Sequence, residues 1–428
     1  MLRVLLFAVL CVPLLPRLAE AQGRPGVIEL KSAQELKGRT IGDAEVRELI
    51  GNVHFIQFLR EGGMVKVWTD RALQYLATER VELYNRVRVL RDSVLILADE
   101  GVYYGQERRV TMQGRVRLER SGSILTSQEG EYFPDERRAV FFGNVRVEDS
   151  ASVLTCDRLF YWEDDQRSIA VGNVRVVQSA DGTTVFGDSL VNFDREERAV
   201  VPRAARMIQT DSTADGGIDT LLVSSREMES VAGPARALLA RDSVKISRSD
   251  LAARCGLATF LTAEDRILLA GDPVVWHGRN QLTGDTIEVR LTDRRLHSVV
   301  VRGRAMAVSR ADSLRPQRFD QLTGRRLTMF FTEGKVRQID VEGTATNLYY
   351  LYDDAAPNGA NRSSGDRILM DFTDGQIDRI KVVRGAQGEY LPEKMVYGRE
   401  AEYNLDGFHW YRTRPMRAGL VMEEREAK

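Results

Sequence analysis

The residues best equipped for chemistry in this 428-residue chain are scattered. The four histidines, His54, His277, His297 and His409, show no metal-ligand spacing, and no HExxH is present. GxSxG, a P-loop and a strand–GxGxxG–helix unit are missing too. Acid pairs such as Asp164-Asp165 and Glu196-Glu197 would suit glycosidic-bond chemistry if they converged in a cleft. They stand instead at polar turns beside arginine, a pattern that favours solvated corners. No catalytic residue, metal or cofactor is assigned.

Two other groups recur with a rhythm. Arg86, Arg88, Arg115, Arg117, Arg146 and Arg175 flank apolar residues. They read as a charged outer face, or alternatively as cations at a groove rim that meet anionic ligands. Tyr103, Tyr104, Tyr132, Phe133, Phe160, Tyr161 and Trp162 form an aromatic column, which is core by cross-strand packing unless a groove exposes it to a guest.

The rhythm comes from a repeat. Gly114-Arg115-Val116, Gly143-Asn144-Val145 and Gly172-Asn173-Val174 stand 29 residues apart, with the looser Asn85-Arg86-Val87 one period earlier. Ala98-Asp99, Ser127-Gln128 and Cys156-Asp157 open a second signature in step, each followed by aromatic residues. Such a period means stacked units that cannot bury a hydrophobic face alone. Within residues 143–171, alternation at Val145 and Val147, a second run Val153–Trp162 and a third from Ser168 to Val171 predict strands, with no helical stripe. Glycine marks the corner where one unit meets the next. In the second signature Gly101 and Tyr103, Gly130 and Tyr132, and Leu159 and Tyr161 are expected to point inward, with Glu100, Glu129 and Arg158 outward. Weaker copies extend the array to about residue 415.

Residues 1–21 read as a secretory signal peptide: Arg3, an apolar run from Val4 to Leu15, and Ala19-Glu20-Ala21 at the cleavage site. Leu10 before Cys11 argues against a lipoprotein. With 61 Lys and Arg against 62 Asp and Glu, no basic face for nucleic acid is implied. Cys156 and Cys255 are expected to be two core thiols rather than a bridge, because they fall about three units apart. The chain divides into a leader (1–21), a first repeat region (22–205), an irregular connecting segment with weak repeats (206–254), a second repeat region (255–415) and a charged tail (416–428). Residues 353–365 read as an exposed loop.

The recurring Gly143-Asn144-Val145, Gly172-Asn173-Val174, Cys156-Asp157 and Tyr161 resemble the OstA/LptA-like family of lipopolysaccharide-transport proteins, in particular its long OstA-like members. The likeness is good over about 40–200 and looser over 255–415. It implies an all-β, elongated repeat array of antiparallel strands forming two facing sheets, an open β-jellyroll. It also implies a periplasmic protein that binds lipopolysaccharide or another acylated lipid, works with other transport components, self-associates end to end, and can sit at the outer membrane. A groove lined by Val87, Val89, Tyr103, Val116, Leu118, Tyr132, Val145, Val147, Leu159, Tyr161, Val174 and Val176 would shelter acyl chains. The chain is about twice the length of a single-unit bridge and lacks the C-terminal barrel of the outer-membrane member. The alternatives are a polysaccharide-acting β-solenoid enzyme and a structural cell-envelope protein.

Overall fold

The computed structural model describes residues 28–415, apart from short interruptions at 60–62, 181, 213–216, 233–236, 250, 262, 293–294, 313, 354–355 and 374–375. The expected leader and charged tail lie outside the described residues. The chain divides after Arg203 into two compact units.

Unit 1 is an antiparallel meander. It opens with β1 (Ile28–Ser32), β2 (Glu35–Ile41), β3 (Ala44–Phe58), β4 (Met64–Tyr75) and β5 (Arg80–Arg91). It continues with β6 (Val94–Tyr104), β7 (Arg109–Arg120), β8 (Ser123–Phe133), β9 (Arg138–Glu148) and β10 (Ser152–Trp162). The unit ends with β11 (Arg167–Gln178), β12 (Thr184–Phe193) and β13 (Arg198–Val201). From β3 to β13 each strand pairs with the next. One 29-residue repeat is therefore two long strands, not three short ones. The predicted third strand and the first run of the next unit are one continuous strand, Arg167–Gln178, passing through Gly172.

The glycine corners are bulges. Gly143 and Asn144 both have positive φ, 72° and 50°, as do Gly172 and Asn173 at 79° and 46°. The ladder shifts register there, between Thr126/Glu129 on one side and Cys156/Arg158 on the other. A bulge bends a strand without ending it. The expected two facing sheets are thus one continuous sheet folded along its line of bulges.

The second signature completes each corner. Its Asp or Gln sits where a glycine side chain would project: a Cβ on Gly172 would run into Asp157, and one on Gly143 into Gln128. The same acid then holds the second of the two left-handed residues of the bulge. Arg115 donates to Asp99 at 2.6 Å, Arg86 to Asp70 at 2.6 Å, and Asn173 to Asp157 at 2.9 Å. These bonds hold the Asp70 and Asp99 carboxyls below their usual range. The two sequence signatures are two halves of one corner.

Unit 2 is built likewise. Its strands begin with β14 (Ala205–Ser212), β15 (Ile218–Ser225), β16 (Glu227–Val231), β17 (Ala237–Ser247) and β18 (Leu251–Leu261). Then come β19 (Arg266–Ala270), β20 (Val274–His277), β21 (Asn280–Thr283), β22 (Thr286–Thr292) and β23 (Arg295–Arg310). The last are β24 (Phe319–Thr332), β25 (Lys335–Asp353), β26 (Ala356–Thr373), β27 (Gln376–Val383) and β28 (Gln387–Leu391).

Three expectations change here. The stretch 206–254, read as irregular, is largely regular strand, with β14 and β15 forming a hairpin and β17 pairing with β18. Residues 356–365, read as loop, lie in β26, which pairs with β25 and β28. Ladder bonds on both sides override the poor strand propensity of Pro, Gly, Asn and Ser. Finally, the sheet stops at Leu391. Gly398-Arg399-Glu400, inside the stretch to which the weaker copies were expected to extend, lies at the start of a 3-10 turn (Glu400–Tyr403) that follows a short helix α1 (Glu393–Val396).

Candidate functional site

Unit 1 encloses a cavity of about 740 Å³. Its lining shows how the fold makes it. On β5, Val81 and Leu83 lie before the bulge and Val87 and Val89 after it, yet all four face the same cavity. Each strand therefore wraps the cavity as a U, and the two arms are its walls. Val65, Ile96, Met112 and Phe141 add to an apolar surface.

The arms meet along a polar seam. Arg91, at the far end of β5, donates to the Tyr132 hydroxyl at 3.2 Å, although Tyr132 lies beside the opposite row of turns. Burial together with Glu163 pushes the Tyr132 phenol up to about 12. One repeat on, Arg120 is drawn to Tyr161 in the same way, and burial holds its guanidinium below the usual range. Both rungs join residues 41 positions apart. That constant offset is the numerical trace of the U in the sequence, and sequence reasoning missed it.

The twelve expected lining residues separate into two sets. Val87, Val89, Tyr103, Leu118, Tyr132 and Tyr161 line the cavity. Val116, Val145, Val147, Leu159, Val174 and Val176 are at most 2% exposed and form the packed core instead. Burying each contributes roughly 1.5–3 kcal/mol.

The aromatic column also divides, by period-two alternation. Tyr103, Tyr132 and Tyr161 turn inward. Tyr104, Phe133 and Trp162 turn outward beneath arginines across their hairpins: Arg109 over Tyr104 at 4.6 Å, Arg138 over Phe133 at 4.3 Å, and Arg167 over Trp162 at 4.8 Å. Arg198 over Phe193 at 4.2 Å continues the series. The signal was an aromatic residue followed five positions later by Arg. Arg86 and Arg115, in contrast, are almost wholly exposed at the outer corners.

The other chemistry-bearing residues do not converge. Asp164 pairs with Arg137 at 3.1 Å and Glu196 with Arg198 at 2.9 Å, both at hairpin turns. His54 stacks on Trp68, with centroids 4.8 Å apart, and burial lowers its pKa. His409 packs on Tyr411. Among the described residues no His, Cys, Asp and Glu cluster suits a metal. Cys156 and Cys255 are free buried thiols, each pushed up to about 12 by burial.

The strands, the bulged corners and the interior cavity define an antiparallel β repeat protein folded around an apolar space. Residues 26–133 match the family model described as OstA-like protein, so the chain carries an OstA-like domain. Among solved structures it is similar to LptH of Pseudomonas aeruginosa, titled the LptA homologous periplasmic component of the conserved lipopolysaccharide transport device. Identity there is 16%, over 33% of this chain and 95% of that one, with a TM-score of 0.26. No curated protein matches. Among the described residues no helix is long and apolar enough to cross a membrane.

Proposed function

We propose that unit 1 is a periplasmic carrier for acylated lipid of the lipopolysaccharide type, with the acyl chains held in the cavity between the arms of its bent strands. The observation that supports this reading most is the apolar lining from both arms of β5, Val81 and Leu83 facing the same space as Val87 and Val89. Each methylene moved out of water contributes about 0.8 kcal/mol, so a chain of ~12 carbons gains roughly 10 kcal/mol before ordering costs. A lining without a fixed hydrogen-bond code binds without register, which suits movement from repeat to repeat. The Arg91–Tyr132 rung supplies the polar boundary where a headgroup would leave the apolar space.

Handing cargo onward calls for partners. Among the described residues β1 and β2 pair with β3 alone, leaving their far edges unpaired, with Leu30 and Leu36 exposed. An unpaired edge accepts a further strand, from another copy or from another transport component.

The test is Val89→Asp. Val89 lines the cavity but is only half-buried, so the charge enters the lipid space without breaking the packed corner. Protein purified from the envelope should carry bound amphiphile in the wild type and at least tenfold less in the variant, at unchanged circular dichroism. Equal lipid in both, or none in the wild type, would sink the proposal. Glycan cleavage by lipid-free protein would favour the enzyme alternative.

A further inference from the structure

Unit 2 holds a second concave site of different chemistry. After Leu391 the chain turns back as a strap across the unit's own strands. Two buried glutamines clamp it. Gln281 donates to the His409 carbonyl at 2.7 Å and accepts from the Tyr411 amide at 2.9 Å. Gln321 accepts from the Leu405 amide at 2.8 Å and donates to the Asn404 side chain at 2.5 Å. Arg318, fully buried, fixes the strap's first turns through Glu393 at 2.7 Å and Glu400 at 3.3 Å.

Between strap and strands lies a cleft of about 1350 Å³. One wall is aromatic. Phe319 has Phe408 and Trp410 at 5.3 and 5.0 Å, and Trp276 and Tyr411 complete the surface. The other feature is charge. Arg279, Arg310, Arg412 and Arg414 all line the cleft, and among the described residues no carboxylate pairs with any of them. A fifth lining arginine, Arg315, is held by Asp312 at 2.6 Å. The lining acid, Glu400, is taken up by Arg318. Arg310 lies 5.5 Å from the Trp410 ring and 5.9 Å from Phe319. Stacking of this kind holds a guanidinium plane while leaving its N–H edge to meet a phosphate in two bonds.

We infer that this cleft binds a phosphorylated oligosaccharide, its sugar rings stacked on the partly exposed Trp410 and Phe408 and its phosphate held by Arg310 with Arg279 and Arg412. Aromatic faces suit the apolar faces of sugars, and a group of exposed arginines with no carboxylate partner suits an anion, so a phosphorylated sugar matches both halves better than a neutral glycan or an acyl chain. Pockets for small ligands run about 300–1,000 Å³. The larger cleft accommodates more than one sugar residue. The site lies wholly within unit 2 and does not rest on lipid carriage by unit 1.

The experiment is calorimetric titration of the full mature chain with a phosphorylated glucosamine oligosaccharide, its dephosphorylated form and inorganic phosphate. The phosphorylated sugar should bind at least tenfold tighter than either of the others. It should also change the emission of Trp410. Arg310→Gln with Arg412→Gln should weaken it at least tenfold without altering the lipid that co-purifies with the protein. If that pair lowers the melting temperature, the exposed Arg279→Gln serves in its place, with a loss of at least threefold. No binding by the phosphorylated sugar overturns the inference, as does unchanged affinity in the variants. Inorganic phosphate bound as tightly as the sugar overturns it too, by reducing the cleft to a simple anion site.

Discussion

In unit 1 Val89, Leu118 and Tyr132 face a cavity, whereas in unit 2 Met306, Leu348 and Tyr350 share a buried cluster with the chain's own strap at Val396 and Leu405. Both units are antiparallel sheets bent at paired left-handed residues, Gly172-Asn173 in one and Gly303-Arg304 in the other. The corner chemistry is shared as well, since Arg304 donates to Asp285 at 2.7 Å just as Arg115 does to Asp99. The same repeat thus leaves its apolar interior either open or covered by a strap. The difference lies in some twenty residues after the last strand. A bent sheet leaves an apolar interior, and something must cover it: in unit 2 a covalently attached segment does, and in unit 1 the space is left for a guest.

Three substitutions would break or sharpen this contrast. The largest effect is expected from Arg318→Met. It strips the buried partner from Glu393 and Glu400 and should cost about 3–5 kcal/mol. Chemical denaturation should show the loss in unit 2, together with proteolysis after Leu391. Retained resistance there would mean that the strap is not what seals the unit.

Next comes a pH effect that belongs to the closed unit. Asp320, which accepts the Tyr350 amide at 2.9 Å, is pushed up to about 7 by burial. A carboxyl raised in the folded state keeps its proton between pH 4 and 7, so stability present below pH 4 is lost as pH rises through 7. Asp320→Asn should remove that slope and gain up to about 4 kcal/mol above pH 7. Melting curves at pH 4 and pH 8 measure it, and parallel wild-type and variant curves would refute it.

The smallest effect tests the shared corner. Gly172→Ala forces a side chain into a left-handed position against Asp157 and should cost about 1–2 kcal/mol. The variant should lose stability in unit 1 and leave the Arg318-sealed unit 2 untouched. A neutral result would remove the bulge as the element that bends the strand.

The repeat and its strand character were legible because period-two alternation and a fixed 29-residue spacing survive in the sequence. So were the inward positions of Gly101, Gly130 and Leu159, all of them buried. Half of the expected lining residues lie outside the cavity of unit 1. Alternation tells which face a residue is on but not how far neighbouring side chains close over it, so Val145 and Val89 look alike in the sequence and differ in the fold. The strap falls inside the stretch to which the weaker repeat copies were expected to extend, because Gly398 to Tyr403 resembles the repeated corner. Nothing local shows that Gln281 and Gln321, more than 80 positions earlier, clamp the chain just beyond it at Tyr411 and Leu405.

By itself the sequence determined the strands, their corners and the alternation that gives every arm one apolar face, since these follow from φ preference and side-chain period over a few residues. Only the tertiary structure decided which apolar space stays open and which is filled. That outcome depends on where the two ends of each bent strand meet and on where a distant segment docks, both fixed by contacts between residues far apart in the chain.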